Sequence, residues 1–215
     1  MTNKAIPLPK LSGFTERNGD WFVEEIPLAD LAKQYGTPLY VYSKKALTEA
    51  YQAYDKACVD IKGKRRARVH YAMKANSNLA VIDCFKQLGA GFDLVSGGEL
   101  ARALAIGADP KSLVFAGVGK SAAEIAAALS AGVKCINVES IAELRKINRV
   151  ATELQIRAPI SLRVNPDVDA QTHPYISTGL KGNKFGIAYH EVLKTYREAS
   201  QLPQIDVVGI DCHIG

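Results

Sequence analysis

The sequence predicts an α/β fold: an incomplete (β/α)8 TIM-type barrel with about six of its eight strands. Three observations carry this. First, strand-like runs recur from Val69 onward as VHYAMK, GFDLVS, SLVFAG, CINVE, ISLRVN and VVGIDCHIG, the first four followed by helical patterns. Their mid-strand positions Ala72, Asp93, Ala116, Asn137 and Arg163 lie 21, 23, 21 and 26 residues apart, the length of one strand plus one helix, so the strands run parallel. Second, Ser96-Gly-Gly-Glu99, Ser121-Ala-Ala-Glu124 and Ser140-Ile-Ala-Glu143 match the capping box that opens a helix. Third, the strands are two-faced. One face carries Val69, Tyr71, Met73, Phe92, Leu94, Leu113, Phe115, Ile136, Val138, Leu162, Val164, Val208, Ile210 and Cys212. The other carries Ala72, Lys74, Asp93, Ala116, Asn137, Glu139, Ser161, Arg163, Asn165, Gly209, Asp211 and His213. An open doubly wound sheet needs both faces apolar. A polar second face fits a barrel whose interior is a site, with Lys74, Arg163 and His213 at the C-terminal strand ends where barrel active sites lie.

Before the repeats, residues 1–20 contain Pro7, Pro9 and Gly13 and read as an extended arm. Trp21 to Glu24 reads as a short strand, Leu28 to Tyr35 as a helix stopped by Gly36, and Pro38 to Tyr42 as an edge strand. Ser43 caps a helix to about Val59. Gly107 and Gly132 stand at C-cap positions. After the fifth repeat strand, 166–187 forms a long loop rich in Gly, Pro, Thr and Asn, of a length that is usually functional. A helix follows from about Tyr189 to Ser200. The chain stops on the sixth repeat strand, whereas closure needs eight, so a longer protein is expected.

Composition bounds the function. The 47% hydrophobic content describes a packed globular chain. The net charge of +5 is modest, and its densest cluster, Lys62 to Arg68, has no interleaved aromatic residues, which favours a solvated loop over a nucleic-acid surface. Cys58, Cys84, Cys135 and Cys212 are far apart with no CxxC, as for reduced, packed thiols of a cytoplasmic protein. No signal-peptide core or membrane-length apolar run is read, so neither a membrane nor a nucleic acid is an expected partner. No metal site is expected.

VHYAMKAN reads as a strand ending on Lys74. An amine at the mouth of a buried strand is either an ordinary surface lysine or a nucleophile for a carbonyl, held in a partly desolvated site. Its placement on the polar face with Asp93, Arg163 and His213 favours the second.

The motifs YAMKAN at 71–76, FDLVSGGEL at 92–100, RVNPDV at 163–168, HPYISTGLKGNKFGI at 173–187 and CHIG at 212–215 resemble the pyridoxal-phosphate enzymes with an alanine-racemase-like barrel, and within them the diaminopimelate decarboxylase branch. The resemblance covers nearly everything from residue 20 onward. It implies decarboxylation of meso-2,6-diaminopimelate to L-lysine and carbon dioxide, with pyridoxal 5'-phosphate as cofactor. Lys74 would bind the cofactor as a Schiff base and, with His213, which stacks on the ring, form the catalytic pair. Asp93, Arg163 and Ala72 would complete the cofactor surroundings, and His173, Lys184 and Glu99 would border the substrate. Residues 1–42 would be an arm and strands of a mostly absent β-domain, and 43–215 the N-terminal part of the cofactor-binding barrel. The expected partners are a small-molecule diamino acid and a second copy, in a homodimer with shared sites. Family features that follow HIG, including a serine and a phosphate-holding glycine run, are not in this sequence, so the 215-residue chain alone is expected to bind cofactor poorly and not to turn over. Within the same fold, an ornithine, arginine or carboxynorspermidine decarboxylase or an amino-acid racemase is the alternative. A non-catalytic regulatory homologue fits less well, because Lys74, Asp93, Arg163 and His213 are all present.

Overall fold

The computed structural model of the chain describes residues 12–166 and 185–213. Two compact units are distinguished, residues 1–69 with 83–90, and residues 70–82 with 91–215.

In the first unit, β1 (Phe14–Arg17), β2 (Asp20–Val23) and β3 (Ile26–Pro27) form an antiparallel meander. The expected extended arm is therefore corrected over 14–17. The missed signal is Asn18-Gly19: both residues hold left-handed φ, of 54° and 89°, which a two-residue hairpin turn of primed type requires. Helix α1 (Leu28–Tyr35) ends at Gly36 as expected. Pro38 to Tyr42 is not a strand: no described strand pairs with it, and Leu39, Tyr40 and Tyr42 stay exposed. Helix α2 (Lys44–Ala57) starts at Ser43, whose hydroxyl accepts the Ala46 N–H at 3.0 Å. The basic cluster is largely used internally. Arg65 grips Asp55 at 2.7 Å, Arg66 meets Asp60 at 2.6 Å, and Arg68 donates to the carbonyls of Gly89 and Ala90.

In the second unit, six parallel strands lie side by side in chain order: β4 (His70–Ala72), β5 (Gly91–Leu94), β6 (Leu113–Phe115), β7 (Cys135–Val138), β8 (Ala158–Asn165) and β10 (Ile205–Cys212). A short β9 (Ile187–Ala188) adds to the end of β8 beside Val164 and Asn165. A doubly wound sheet reverses strand order at a switch point; this order never reverses, as in a (β/α)8 barrel. Helices α4 (Gly97–Ala105), α5 (Ala122–Ala131), α6 (Ile141–Leu154) and α7 (Val192–Gln201) occupy the later connections, and α3 (Leu79–Gln87), which follows β4 in sequence, has its residues 79–82 in this unit.

The core lies between these helices and the apolar strand face. Phe92, Leu94, Leu113, Phe115, Ile136, Val138 and Leu162 are buried with Leu100, Ala103, Ile125, Ala128, Leu144 and Ile147. Each large side chain buried this way contributes roughly 1.5–3 kcal/mol. On β10 the alternation breaks at a bulge between Val207 and Gly209. Val207 pairs with Ile160 and Ile210 with Leu162, so Val208 is the inserted residue and not a member of the regular outer face. Cys212, expected packed, is exposed, as are Val208 and Ile210.

Of the three helices opened by Ser-x-x-Glu, only α5 has the full capping box. Ser96 and Ser140 do accept from the N–H of Glu99 and Glu143, but those carboxylates reach one residue further back, to the N–H of Val95 and Glu139 at 2.7 and 2.8 Å. The cause is the N-cap backbone. Ser96 and Ser140 are fully extended, with φ of −156° and −161°, against −73° for Ser121, which turns the preceding peptide N–H toward the glutamate instead.

Candidate active site

The polar strand face converges on a cavity of about 390 Å³ at the C-terminal strand ends. Its lining comes from every strand of the array: His70 from β4 and Lys74 just after it, Asp93 and Val95 from and after β5, Val114 and Ala116 from and after β6, Asn137 from β7, Arg163 from β8, and Asp211 and His213 from and after β10. Gly117, Val118 and Phe185 complete the lining. Sequential parallel strands put one inward side chain each into this space, because period two repeats the same face along every strand.

Lys74 sits past the end of its strand. Pairing with β5 stops at Ala72 opposite Asp93, and Met73–Ala75 form a turn of 3-10 helix, pinned by the Tyr71 hydroxyl donating to the Asn76 carbonyl at 3.0 Å. Met73 is fully buried while Lys74 is exposed into the cavity, without a hydrogen bond or ion pair among the described residues. Of the residues the sequence singled out, Lys74, Asp93, Arg163 and His213 come together on this cavity. Ala72 is half-buried and Glu99 caps the backbone at Val95; neither lines it. His173 and Lys184 lie outside the described residues.

Arg163 is held from two sides. Its Nη1 donates to both oxygens of Glu139 at 2.8 and 3.0 Å, and its guanidinium lies 5.8 Å from the centre of the Phe185 ring. Gly186 packs against it: a side-chain carbon there would come within 3.0 Å of the Arg163 carbonyl and 3.2 Å of its side chain.

The charges in the cavity shift one another. Burial and then the neighbouring Asp211 push the Asp93 carboxyl up to about 6, against the pull of Lys74 and Arg163. Burial likewise raises Asp211, opposed by Arg163. His213 is pushed below the ordinary histidine value by burial and by the positive Arg163 and Lys74, so it is a neutral ring at pH 7. Between β7 and β8, Ser161 donates to the Asn137 side-chain oxygen at 2.5 Å.

Several lining residues had no role assigned from sequence. His70, Asn137 and Asp211 were legible from strand alternation alone, while Phe185 lay in the unassigned loop. Lys120, which does not line the cavity, had no signal either, being in a connection beyond a strand. It is almost wholly buried, and its amine donates to the carbonyls of Gly117 and Asn137 at 2.6 and 2.8 Å and to both Glu143 oxygens at 3.2 Å. Burial lowers its pKa, and the Glu143 charge opposes that.

Among the described residues no group of three or more His, Cys, Asp or Glu could hold a metal ion, and no helix is long and apolar enough to cross a membrane. The cavity suits a flat, aldehyde-bearing heteroaromatic cofactor. Its volume falls in the range of small-ligand sites, a lysine amine with no hydrogen-bond or ion-pair partner among the described residues opens into it, and a neutral imidazole and two carboxylates stand around it.

Residues 44–215 match the model of the pyridoxal-dependent decarboxylase family, pyridoxal binding domain. The chain is 58% identical over 194 residues to diaminopimelate decarboxylase of Neisseria meningitidis serogroup A, covering 90% of this chain and 47% of that protein. It is 56% identical over 200 residues to the Vibrio cholerae diaminopimelate decarboxylase, covering 93% and 47%. The chain thus spans about half the length of the curated relatives it matches. It also superposes with a TM-score of 0.85 on diaminopimelate decarboxylase from M. jannaschii in complex with L-lysine, at 38% identity, over 95% of this chain and 48% of that one. Sequential parallel strands, a lysine-bearing cavity at their C-terminal ends and these matches lead to one conclusion: the chain belongs to the pyridoxal-dependent decarboxylases and forms part of their (β/α)8 barrel.

Proposed function

We propose that the protein decarboxylates meso-2,6-diaminopimelate to L-lysine and carbon dioxide, with pyridoxal 5'-phosphate held on Lys74. The observation that carries this is the Lys74 amine, unpartnered among the described residues and opening onto the same cavity as Asp93, Arg163 and His213, in a chain 58% identical to a diaminopimelate decarboxylase. The bound cofactor supplies the conjugated ring that accepts the electron pair left by a departing carboxylate. The chain's own residues do the rest. Lys74 Nζ anchors the cofactor. His213, uncharged at neutral pH, offers a flat face against a ring. Asp93, with a carboxyl pushed up to about 6, can hold or release a proton near neutrality at its carboxyl oxygen. Arg163, fixed by Glu139, presents a positive charge to an anionic group.

A diamino acid substrate is supported by the relatives solved with L-lysine, from M. jannaschii and Helicobacter pylori. A homodimer with sites shared between subunits, and a cytoplasmic location, complete the proposal. We place residues 1–42 in a β-domain and 43–215 in the cofactor-binding barrel, supported by the antiparallel meander at 14–27 and the family match that begins at 44.

The test is reduction of the cofactor-treated protein with borohydride followed by peptide mapping, with release of carbon dioxide from meso-diaminopimelate, ornithine and arginine measured on the complete enzyme. The label is expected on Lys74 and turnover with diaminopimelate. A label on another lysine would overturn the anchor, and faster turnover of ornithine or arginine would overturn the substrate.

A further inference from the structure

We infer that Lys120 is a positioning residue for the site, acting on Arg163 through Glu143 and Glu139. A lysine with 2% of its surface exposed is costly to bury and persists where every donor is used. Here three acceptors surround the amine: the carbonyls of Gly117 and Asn137 and the Glu143 carboxylate. Gly117 and Asn137 both line the cavity, so one ammonium ties the β6 exit to the end of β7. The same Glu143 carboxylate accepts the Glu139 N–H at 2.8 Å. That fixes the backbone from which the Glu139 side chain, itself buried, grips Arg163. The chain Lys120, Glu143, Glu139, Arg163 is therefore continuous; each link is a charged or charge-assisted bond, the first two buried and the last part-buried where Arg163 meets the cavity.

The geometry explains why Glu143 does not complete a capping box. Its carboxylate reaches the N–H of Glu139 rather than that of Ser140, and this places the helix α6 start under the control of Lys120. Lys146 adds to the hold from the same helix, donating to the Lys120 carbonyl at 2.9 Å. None of these groups except Arg163, Asn137 and Gly117 lines the cavity, so Lys120 acts at a distance, by limiting the rotamers open to Glu139 and so to Arg163.

This rests on the reading that Arg163 serves the bound cofactor or substrate. The experiment is a double-mutant cycle on the complete enzyme, with pyridoxal phosphate affinity, substrate KM and kcat, and thermal stability measured for Lys120→Met, Arg163→Met and the double variant. Lys120→Met is expected to weaken cofactor or substrate binding by about tenfold, as loss of a supporting hydrogen bond does at other sites, and to add almost nothing once Arg163 is methionine. Glu139→Gln, which leaves Lys120 and Glu143 paired, is expected to reproduce the same loss with the fold kept, and Lys120→Arg to restore part of it. Additive effects of Lys120 and Arg163, or a Lys120 variant that loses stability while binding is unchanged, would overturn the proposal. If Lys120→Met does not fold, Glu139→Gln decides alone: unchanged binding would overturn the link from Glu139 to Arg163. If Arg163→Met itself leaves cofactor and substrate binding untouched, it is the reading of Arg163 that fails.

Discussion

Replacing Asp93 with asparagine is expected to stabilise the protein near neutral pH while harming its site. Asp93 is half-buried on β5, facing Asp211 from β10, with Lys74, Arg163 and Glu99 as further charged neighbours. Burial and Asp211 lift its pKa from 3.8 to about 6 in the folded chain. The sign follows from proton counting. Below 3.8 both states hold the proton and Asp93 contributes nothing. Between 3.8 and about 6 the folded state alone keeps it, so stability falls as pH rises through that window. Above it the folded protein bears the full cost of an ionised, crowded carboxylate. At about 1.4 kcal/mol per unit, the shift corresponds to at most about 3 kcal/mol, and water in the open cavity reduces this to roughly 1–3 kcal/mol. Asparagine keeps the shape and removes the charge, which also lets Asp211 ionise more easily. Urea unfolding of both proteins from pH 4 to 8, without added cofactor, measures the difference. It is expected to be near zero at pH 4 and to grow in favour of the variant up to pH 8. A gap that does not change with pH, or a variant less stable at pH 8, would refute the account.

Three further outcomes follow. The ring protons of His213, followed by NMR, should titrate below the usual histidine range, and Arg163→Met should move that titration upward by removing a like charge; a downward move would contradict the assigned cause. Gly186→Ala forces a side chain into left-handed backbone, with φ 79°, against the Arg163 carbonyl, and should cost about 1 kcal/mol or more in thermal unfolding, with weaker ligand binding. Ser121→Ala removes the hydroxyl that accepts the Glu124 N–H, one arm of the complete capping box on α5, while the backbone N–H at 121 still donates to Glu124, and should cost about 1 kcal/mol, leaving the cavity chemistry unchanged in a binding assay.

Much of the second unit was readable because period two and a repeating strand-plus-helix length are local properties. Phe92, Leu113, Ile136 and Leu162 followed from alternation, and so did Asp93 and Arg163 on the opposite face. Asn18-Gly19 is itself a local hairpin signal, missed in the reading of an extended arm. The other misreadings came where pairing decides. Pro38 to Tyr42 had strand-like composition but no described strand to pair with. On β10, simple alternation ran through Val208, and only registration against β8 revealed the bulge. The serine-to-glutamate spacing identified three helix starts, yet the φ angle at Ser96 and Ser140 decided which N–H each glutamate caps.

By itself the sequence determined the barrel type, the order of its strands and the side chains that face inward, since backbone geometry converts spacing directly into facing. Tertiary structure decided what those side chains do to one another. It carried Lys74 past its strand on a 3-10 turn, brought Asp211 near enough to raise Asp93, and buried Lys120 behind Glu143 and Glu139. The last two join residues far apart in the chain, and their strength depends on distance and on excluded water, neither of which is a property of the chain until it has folded.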